Sequence, residues 1–463
     1  MSSITSGRPR VLKRRKSPDR PEKLTVGQYL LKRLAEIGLS HLFLVPNTNL
    51  ERLEELVESH PKIALVTSSS MKAAAEMADG YGKAKGIACL ASQDSGGQML
   101  DALMRAASES VPLVIILGTK EETEEESPLY LPFEDGTSYL EKFFRQFTCA
   151  WTELSDAKLA AKKIDRVLDY CLFLKKPVCI ELPQGVIDHY IPQHFYRSMD
   201  FEPSDPDTLE EALLDCVTLL GKAKHPLLYL GREVVAQKAE SLLLYFAERW
   251  HLPVASSHTS KNFLLESHPN YFGDLTSSLI DRADLILVFG SHEAIPHTIQ
   301  VASTNVSIKN RSFPNIYLKE MIVALCSVEP EKPRRLWYSR PRNRSLRDDL
   351  ILVATDETLL AKMSHFFTGD VISSAIHSPQ YSLTAAMGVA KAHLHRFAIV
   401  ILKESELRAS LTELYSLYEE GIPMLLCVEG NANWLKPLLP EIPILRRKLP
   451  ALPTSELVIV SLE

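Results

Sequence analysis

Two short polar segments follow apolar runs directly, in places where a folded chain can expose groups capable of chemistry. The first spans residues 94–97 (Asp-Ser-Gly-Gly), and the second begins at Lys403. Carboxylate, hydroxyl and ammonium groups can take part in acid–base or nucleophilic steps. One hypothesis is therefore an enzyme whose cleft contains four polar groups, those of Asp94, Ser95, Lys403 and Glu404. The competing interpretation of 94–97 is structural, because small polar residues and glycines are typical of a strand-to-helix turn.

The common catalytic and cofactor-binding signatures are missing from the sequence. It contains no phosphate-binding glycine loop, no dinucleotide fingerprint, no His-Glu-x-x-His and no nucleophile elbow. His393 and His395 are two positions apart, so their side chains face different directions and do not form a metal pair. The glutamates of the run 121–126 repel one another and favour a solvated loop. Spacing alone therefore predicts no metal site.

The composition is that of an ordinary globular protein. Of the 463 residues, 45% are hydrophobic and 24% are charged, which excludes a mostly disordered chain and predicts about three domains. No apolar run approaches the roughly 20 residues of a membrane span, and the net charge of −6 argues against wholesale nucleic-acid binding. The seven cysteines include no Cys-x-x-Cys pair, as is typical of reduced thiols. We expect a cytoplasmic protein without membrane or nucleic-acid partners.

Short apolar runs alternate with helical stretches along most of the chain. In the first part, the apolar runs 87–91 and 113–118 are separated from one another by amphipathic segments, and 71–85 is a further helical stretch. Thr25 and Gln28 have the spacing of a helical capping box. Continuous apolar strands that alternate with helices are typical of a parallel sheet covered on both faces. Because two similar series follow, the predicted fold is α/β, with three successive doubly wound domains and mainly parallel sheets.

Breaks in composition divide the chain into five segments. Basic residues without apolar periodicity precede the first helix, a polar stretch with prolines follows the first series, and prolines crowd together with arginines after the second. The predicted segments are a basic disordered tail (1–23), a first domain (24–195), a central domain (205–328), a basic linker (329–347) and a third domain (348–463).

Several motifs, taken in order, carry a family resemblance. They are Leu24–Gly38, Phe43–Pro46, Ala78–Tyr81, Ser110–Val114 and Lys176–Pro183. The sequence resembles the thiamine-diphosphate-dependent 2-oxo acid decarboxylases, and the pyruvate and indolepyruvate decarboxylases look most similar. The resemblance becomes faint in the last third of the chain. It implies that the first domain is pyrimidine-binding-like and that the third is a truncated, diphosphate-binding-like domain.

In this family, a glutamate of the pyrimidine-binding domain protonates the aminopyrimidine ring of the cofactor, and paired histidines donate protons. The resemblance puts Met71 at the glutamate position and puts Leu129 and Tyr130 at the histidine positions. A thioether cannot exchange that proton, and neither Leu129 nor Tyr130 has a donor of suitable pKa. Met71 alone does not establish inactivity, because the glyoxylate carboligases of the wider superfamily work with an apolar residue there.

The family's magnesium ligands come from a Gly-Asp-Gly motif and a downstream asparagine. The resemblance puts the segment 403–405 at that motif and Lys403 at the metal-binding aspartate. The downstream loop is replaced by 429–433, in which Asn431 or Asn433 could supply one ligand. Because an ammonium group repels a metal cation, the resemblance implies no complete metal site.

The proton relay, the proton donors and the metal ligands are thus lost together. This predicts a catalytically degenerate member of the family, a binding or regulatory scaffold without a cofactor, present as a homo-oligomer or in complex with a catalytic relative. The alternative is an active 2-oxo acid decarboxylase, a carboxy-lyase that uses thiamine diphosphate and magnesium. Its unconventional cofactor-binding residues near the diphosphate would be Ser405, Glu404 and Glu429.

Overall fold

The structure is a computed structural model that describes residues 23–462 apart from short gaps. The gaps are 47–48, 69, 94–96, 98, 120–141, 143, 194–195, 200, 258–259, 261, 275–276, 292–294, 297, 310, 331–335, 338–348, 357, 361–369, 375–377, 394–395, 447–451 and 453. Nearly all of the predicted basic tail and most of the predicted basic linker lie outside the described residues. None of the helices described is long and apolar enough to span a bilayer.

The first domain is a parallel sheet with helices on both faces. Its strands are β1 (His41–Leu44), β2 (Ala64–Thr67), β3 (Ala88–Ser92), β4 (Leu113–Thr119), β5 (Ala150–Glu153) and β6 (Val178–Pro183). Its helices are α1 (Val26–Glu36), α2 (Glu51–Glu58), α3 (Met71–Lys85), α4 (Leu100–Ser108) and α5 (Ala157–Leu174). The strand order is β2-β1-β3-β4-β6-β5. Strands β3 and β4 are buried almost throughout, because helices cover both faces of the sheet.

Helix α1 begins at the capping box that its sequence predicts. Oγ1 of Thr25 accepts a 3.3 Å hydrogen bond from the backbone N–H of Gln28. In return, Oε1 of Gln28 accepts a 3.0 Å bond from the backbone N–H of Thr25. The two bonds satisfy donors that the start of a helix leaves open. Here the local sequence determines where regular structure begins, and the prediction is confirmed.

The central sheet is parallel in one half and antiparallel in the other. Its strands are β7 (Pro226–Leu230), β8 (Val254–Ser256), β9 (Tyr271–Asp274), β10 (Leu285–Phe289), β11 (Thr298–Ala302), β12 (Asn305–Ile308) and β13 (Arg311–Pro314). Its helices are α6 (Pro206–Lys222), α7 (Arg232–Ala236), α8 (Glu240–Arg249), α9 (Phe263–Ser267), α10 (Ser277–Arg282) and α11 (Leu318–Ser327). The order is β13-β12-β11-β10-β7-β8-β9. The sequence did not predict the antiparallel β11–β13, because these strands are short and only half apolar.

The third sheet repeats the topology of the first. Its strands are β14 (Leu350–Ala354), β15 (Asp370–Ile372), β16 (Phe397–Lys403), β17 (Leu425–Glu429), β18 (Ile444–Arg446) and β19 (Val458–Ser461). Its helices are α12 (Tyr381–Ala392), α13 (Glu404–Ala409) and α14 (Leu411–Glu419). The order β15-β14-β16-β17-β19-β18 equals that of the first sheet when each sheet is numbered from its own first strand. Short 3₁₀ helices cover Gln184–Val186 and Asn433–Leu435.

Helices α3 and α12 join the first and third domains in close contact. A Cβ on Gly80 would lie 2.6 Å from Cα of Ala385, and a Cβ on Gly388 would lie 2.9 Å from the backbone carbon of Met77. Only glycine allows the two backbones to come this close. The two domains share one hydrophobic core, whereas the central sheet has clusters of its own. The three predicted α/β units are confirmed, and the first and third are packed as a pair.

Candidate functional site

The strands at the centre of the third sheet end in charged side chains. Strand β16 lies between β14 and β17 and runs parallel to both. Lys403 ends β16 and is paired in register with Glu429, which ends β17. The chain leaves β14 for β15 on one side and returns at β16 on the other, so a topological switch point lies between β14 and β16. Open α/β sheets bind ligands at such points, outside the carboxyl ends of their strands. We call this region, which includes Asp356, Lys403, Glu404, Glu429 and Asn431, the carboxyl edge.

An ion pair crosses the switch point. Nζ of Lys403 lies 2.5 Å from Oδ2 of Asp356, which follows β14. Oδ1 of Asp356 accepts the backbone N–H groups of Thr358 at 2.9 Å and Leu359 at 3.0 Å. Chiefly through its bond to Lys403, the pKa of Asp356 is held well below its usual range, and Asp356 in turn raises the pKa of Lys403. Because the Lys403 side chain is 45% exposed, the carboxyl edge presents an anchored ammonium group to solvent.

Glu404, the first residue of α13, is bound to neighbours on both sides. Its Oε1 lies 2.7 Å from Nη2 of Arg408, and its Oε2 accepts the backbone N–H of Asn431 at 2.9 Å. The Arg408 guanidinium is the main reason that the pKa of Glu404 is lowered. Gly430 has φ of +125°, and a Cβ there would lie 2.8 Å from Cβ of Glu404. A glycine at 430 therefore allows the loop after β17 to close against Glu404.

The other predicted ligands lie at the same edge in different settings. Ser405 is exposed on α13, whereas Glu429 is partly buried. Oδ1 of Asn431 accepts the backbone N–H of Asn433 at 2.9 Å and its side-chain amide at 2.7 Å. The structure thus brings together at the carboxyl edge Lys403, Glu404, Glu429 and Asn431. Cofactor binding by Glu404, Ser405 and Glu429 stays a prediction.

The buried carboxylate of Glu406 holds the turn between β16 and α13. Its Oε2 accepts the backbone N–H of Lys403 at 2.8 Å, and its Oε1 accepts the hydroxyl of Thr355 at 2.9 Å. Since Thr355 follows β14, this carboxylate links the ends of two neighbouring strands. Sequence reasoning missed Glu406. The available signal was its position three residues after Lys403, where a glutamate can bond back to the start of a helix.

Of the predicted catalytic positions of the first domain, the structure describes Met71. Met71 is the first residue of α3, is 8% exposed and belongs to the shared core. Ser70 caps the helix in front of it by accepting a backbone N–H. Met71 itself therefore contributes apolar packing there and no ionisable group. Outside the described residues lie Leu129, Tyr130, Asp94 and Ser95.

A cavity of about 440 Å³ lies between the first and third domains. Its walls include Ser68 after β2, Met77 on α3, Thr384 on α12 and Glu413 on α14. Oε2 of Glu413 is buried and has no hydrogen-bond partner among the described residues. Burial, reinforced by the nearby Glu76, raises the pKa of Glu413. Glu413 can therefore keep its proton nearer to neutral pH than an exposed glutamate.

Sequence reasoning missed Glu413 as well. In the sequence it is a charged residue of an amphipathic helix, and such residues usually lie on a solvated face. Only the packing of α14 against α12, beside the interface with the first domain, puts it in the cavity. No motif or spacing signals that contact.

A buried charge network crosses the same domain interface. Nζ of Lys83 lies 3.0 Å from Oδ2 of Asp79, donates to the hydroxyl of Tyr381 at 2.7 Å, and forms an ion pair with Glu109. The Lys83 side chain is only 1% exposed. Burial raises the pKa of the Tyr381 hydroxyl. The network joins α3 to α12 through polar groups that water does not reach.

Glu76 forms a second polar connection between the two helices. It accepts the hydroxyl of Ser378 at 2.7 Å and that of Thr384 at 2.8 Å, and it lies 3.5 Å from Nη2 of Arg105. Its side chain is 1% exposed. Because these bonds occupy both carboxylate oxygens, we assign Glu76 a structural role.

The residues of the carboxyl edge fit an anion better than they fit magnesium. Magnesium needs oxygen ligands, above all carboxylates, but the central strand ends in Lys403, and the carboxylates of Asp356 and Glu404 are already bound to cationic side chains. In the described part of the chain, no three His, Cys, Asp or Glu side chains are grouped so as to hold a metal ion. An anchored ammonium group, in contrast, suits the diphosphate of the cofactor that the resemblance implies.

Two family models match the chain. Residues 24–143 match the thiamine pyrophosphate enzyme N-terminal TPP binding domain, and residues 213–316 match the thiamine pyrophosphate enzyme central domain. The first match covers β1–β4 of the first sheet, and the second covers all strands of the central sheet. They agree with the motifs that carry the resemblance in the sequence.

Curated relatives extend the similarity along the chain. A probable pyruvate decarboxylase of Schizosaccharomyces pombe is 24% identical over 90% of this chain and 83% of its own length. An alpha-keto-acid decarboxylase of Mycobacterium leprae is 26% identical over 89% of this chain and 81% of its own length. A pyruvate decarboxylase of Aspergillus parasiticus is 29% identical over 58% of this chain and 49% of its own.

Solved structures share the fold. An enzyme of Mycobacterium smegmatis described as thiamin diphosphate-dependent superposes with a TM-score of 0.75 at 16% identity, over 95% of this chain and 99% of its own. The thiamine diphosphate-dependent 4-hydroxybenzoylformate decarboxylase of Rhodococcus jostii gives 0.73 at 17% identity, over 95% of this chain and 98% of its own. At this identity the likeness establishes the three-domain α/β fold alone.

These matches correct one prediction and confirm another. The prediction that the chain uses no cofactor is wrong, because a TPP-binding domain model and pyruvate decarboxylase relatives point to thiamine diphosphate. The resemblance to the thiamine-diphosphate-dependent decarboxylases is confirmed. The chain thus matches two domain models of the thiamine pyrophosphate enzymes and has pyruvate and alpha-keto-acid decarboxylases among its relatives.

Proposed function

We propose that this chain is a thiamine-diphosphate-dependent decarboxylase of a 2-oxo acid, that is, a carboxy-lyase. The observation that carries the proposal is the similarity to decarboxylases over about nine-tenths of the chain. The cavity between the first and third domains supports it, because this cavity offers a carboxyl group of raised pKa next to α3.

The residues of this chain would bind the cofactor and handle protons around it. Thiamine diphosphate, when bound, supplies a thiazolium carbon that adds to the ketone of a 2-oxo acid and accepts the electrons left when carbon dioxide departs. The carboxyl edge would hold the diphosphate. In the cavity, Glu413 would hold or release a proton at its carboxylate, a role that the thioether of Met71 cannot fill.

A second candidate function is binding without catalysis. Such a member of the family would act as a regulatory scaffold, as a homo-oligomer or in complex with a catalytic relative. It is favoured by Met71, which brings no ionisable group to the start of α3, and by Lys403, which stands where the resemblance implies a metal-binding aspartate.

An assay of carbon dioxide release separates the two candidates. Pyruvate, indolepyruvate and phenylglyoxylate would each be supplied to the protein with and without thiamine diphosphate. A decarboxylase releases carbon dioxide and the matching aldehyde only when the cofactor is present. We expect Glu413→Gln to lower this rate by roughly tenfold or more, because general acid–base groups typically contribute about 10²–10⁴-fold.

The matched control is Glu419→Gln, an exposed position on the same helix. It should leave the rate unchanged. If the folded, cofactor-bound protein released no carbon dioxide from any of these acids, the decarboxylase proposal would be wrong for them, and binding without catalysis would be favoured.

A further inference from the structure

The ammonium group of Lys403 stands at the switch point of the third sheet. We propose that it is the chain's own counter-charge for the cofactor diphosphate, so that thiamine diphosphate binds at the carboxyl edge without magnesium. This inference rests on the proposed function, because it takes thiamine diphosphate as the ligand. It differs from the family pattern that the resemblance implies, in which a magnesium ion neutralises the diphosphate.

The position of Lys403 is the first argument for this proposal. Strand β16 is central in its sheet, and Lys403 ends it directly beside the switch point between β14 and β16. A diphosphate bound outside the carboxyl ends of these strands would meet this side chain. Its 45% exposure leaves the ammonium group accessible to a ligand from solvent.

The contacts of Lys403 are the second argument for this proposal. An ammonium group has three N–H donors, and the described contacts of Nζ use one of them, for Oδ2 of Asp356. Asp356 is itself held by backbone N–H groups of Thr358 and Leu359. The ammonium group is therefore anchored at the edge, and two donors remain for phosphate oxygens.

The carboxylate of Glu404, which follows Lys403 in the chain, is already paired with a cation. Glu404 is engaged by Arg408 on one side and by the backbone N–H of Asn431 on the other. Its negative charge is thus balanced by a guanidinium group 2.7 Å away.

The same geometry disfavours a metal ion. A magnesium ion between the diphosphate and β16 would lie next to the ammonium of Lys403, and like charges repel strongly at short range. To gain the carboxylate of Asp356 as a ligand, the metal would have to displace Lys403. The edge therefore supplies a cation of its own, the ammonium group of Lys403, for the phosphate oxygens.

The test is a calorimetric titration of the full chain with thiamine diphosphate, once with EDTA and once with magnesium. Four proteins would be compared: wild type, Lys403→Met, Lys403→Arg and Lys32→Met. Lys32 is the matched control, since its side chain is 54% exposed and pairs with a carboxylate, that of Glu36. Thermal unfolding of each variant checks that it is folded.

We expect wild type and Lys32→Met to bind equally well with EDTA and with magnesium. Lys403→Met should bind roughly 10- to 100-fold more weakly, which is what loss of one charge-assisted hydrogen bond produces. Lys403→Arg, which keeps the charge, should restore most of the affinity.

Three other results would overturn the inference. Binding that requires magnesium would overturn it and leave the proposed function intact. EDTA-resistant binding that Lys403→Met leaves unchanged would show that another group neutralises the diphosphate. No binding under either condition would overturn both the inference and the proposed function.

Discussion

The hydroxyl group of Tyr381, at the start of α12, donates a 2.7 Å hydrogen bond to Oδ2 of Asp79 on α3. The two residues are 302 positions apart in the chain, and the bond crosses the interface between the first and third domains. Nζ of Lys83 contacts both groups. Because Asp79 and Tyr381 are fully buried, neither can exchange its partner for water. The pairing of the two domains therefore depends on polar groups as well as on the shared core.

Tyr381→Phe should weaken this interface. The substitution keeps the ring but leaves Asp79 and Lys83 each without one partner, and an unsatisfied buried polar group costs about 1–3 kcal/mol. We expect the free energy of unfolding to fall by about that amount in urea denaturation followed by circular dichroism. Tyr415→Phe, at a position that is 51% exposed, should change it by less than about 0.5 kcal/mol. Equal effects of the two substitutions would contradict a role for the buried bond.

Gly80→Ala should separate α3 from α12. The added Cβ would lie 2.6 Å from Cα of Ala385, so a backbone must move, and such overpacking typically destabilises by about 1–3 kcal/mol. The matched control is Gly221→Ala on α6, where a Cβ meets nothing within 4 Å. That change should stabilise by about 0.5–1 kcal/mol, because alanine is the better helix former. Thermal unfolding of both variants measures the contrast, and a stabilised Gly80→Ala protein would show that the helices are not in contact.

The ion pair of Asp356 should contribute stability only where the carboxylate is ionised. Because its pKa is lowered in the folded protein, the contribution is fully present above the unfolded value of about 3.9. It is lost as the pH falls toward the folded value. Asp356→Asn keeps an oxygen for the backbone N–H donors and removes the charge. We expect the variant to be less stable than wild type from pH 5 to 8, and the difference in urea midpoint to shrink below about pH 4. A difference that persists unchanged at pH 3 would exclude the ion pair as its cause.

The effect of pH on stability through Glu413 should be opposite to its effect through Asp356. Its pKa is raised in the folded protein, so ionisation is penalised there, and the protein loses stability as the pH rises above the unfolded value of about 4.3. Glu413→Gln removes the buried charge and should stabilise the protein at pH 7 by about 1 kcal/mol. The advantage should vanish near pH 4, where wild type is protonated as well. Denaturation at both pH values checks this, and a Glu413→Gln protein that is less stable than wild type at pH 7 would show that the carboxylate has a favourable partner.

Those parts of the fold whose signals are local could be predicted from the sequence. Thr25 and Gln28 lie three residues apart, and their capping bonds need no other part of the chain. The continuous apolar run of β4 predicts a strand buried on both faces, as observed. The antiparallel part of the central sheet was missed, because short half-apolar strands resemble loops until a neighbouring strand pairs with them.

In the candidate site, too, some features follow from local sequence and others arise only from contacts made on folding. The sequence alone predicts that Lys403 and Glu404 follow a buried strand, because the end of an apolar run marks the end of the strand. The folded chain adds three contacts: Asp356 pairs with Lys403, Glu406 links two strand ends, and Glu413 lines a cavity with one carboxylate oxygen buried. These properties depend on contacts between residues far apart in the chain. Burial and charge pairing shift a pKa through distances in space. Those distances are set by the third sheet for Asp356 and by the packing of the first and third domains for Glu413.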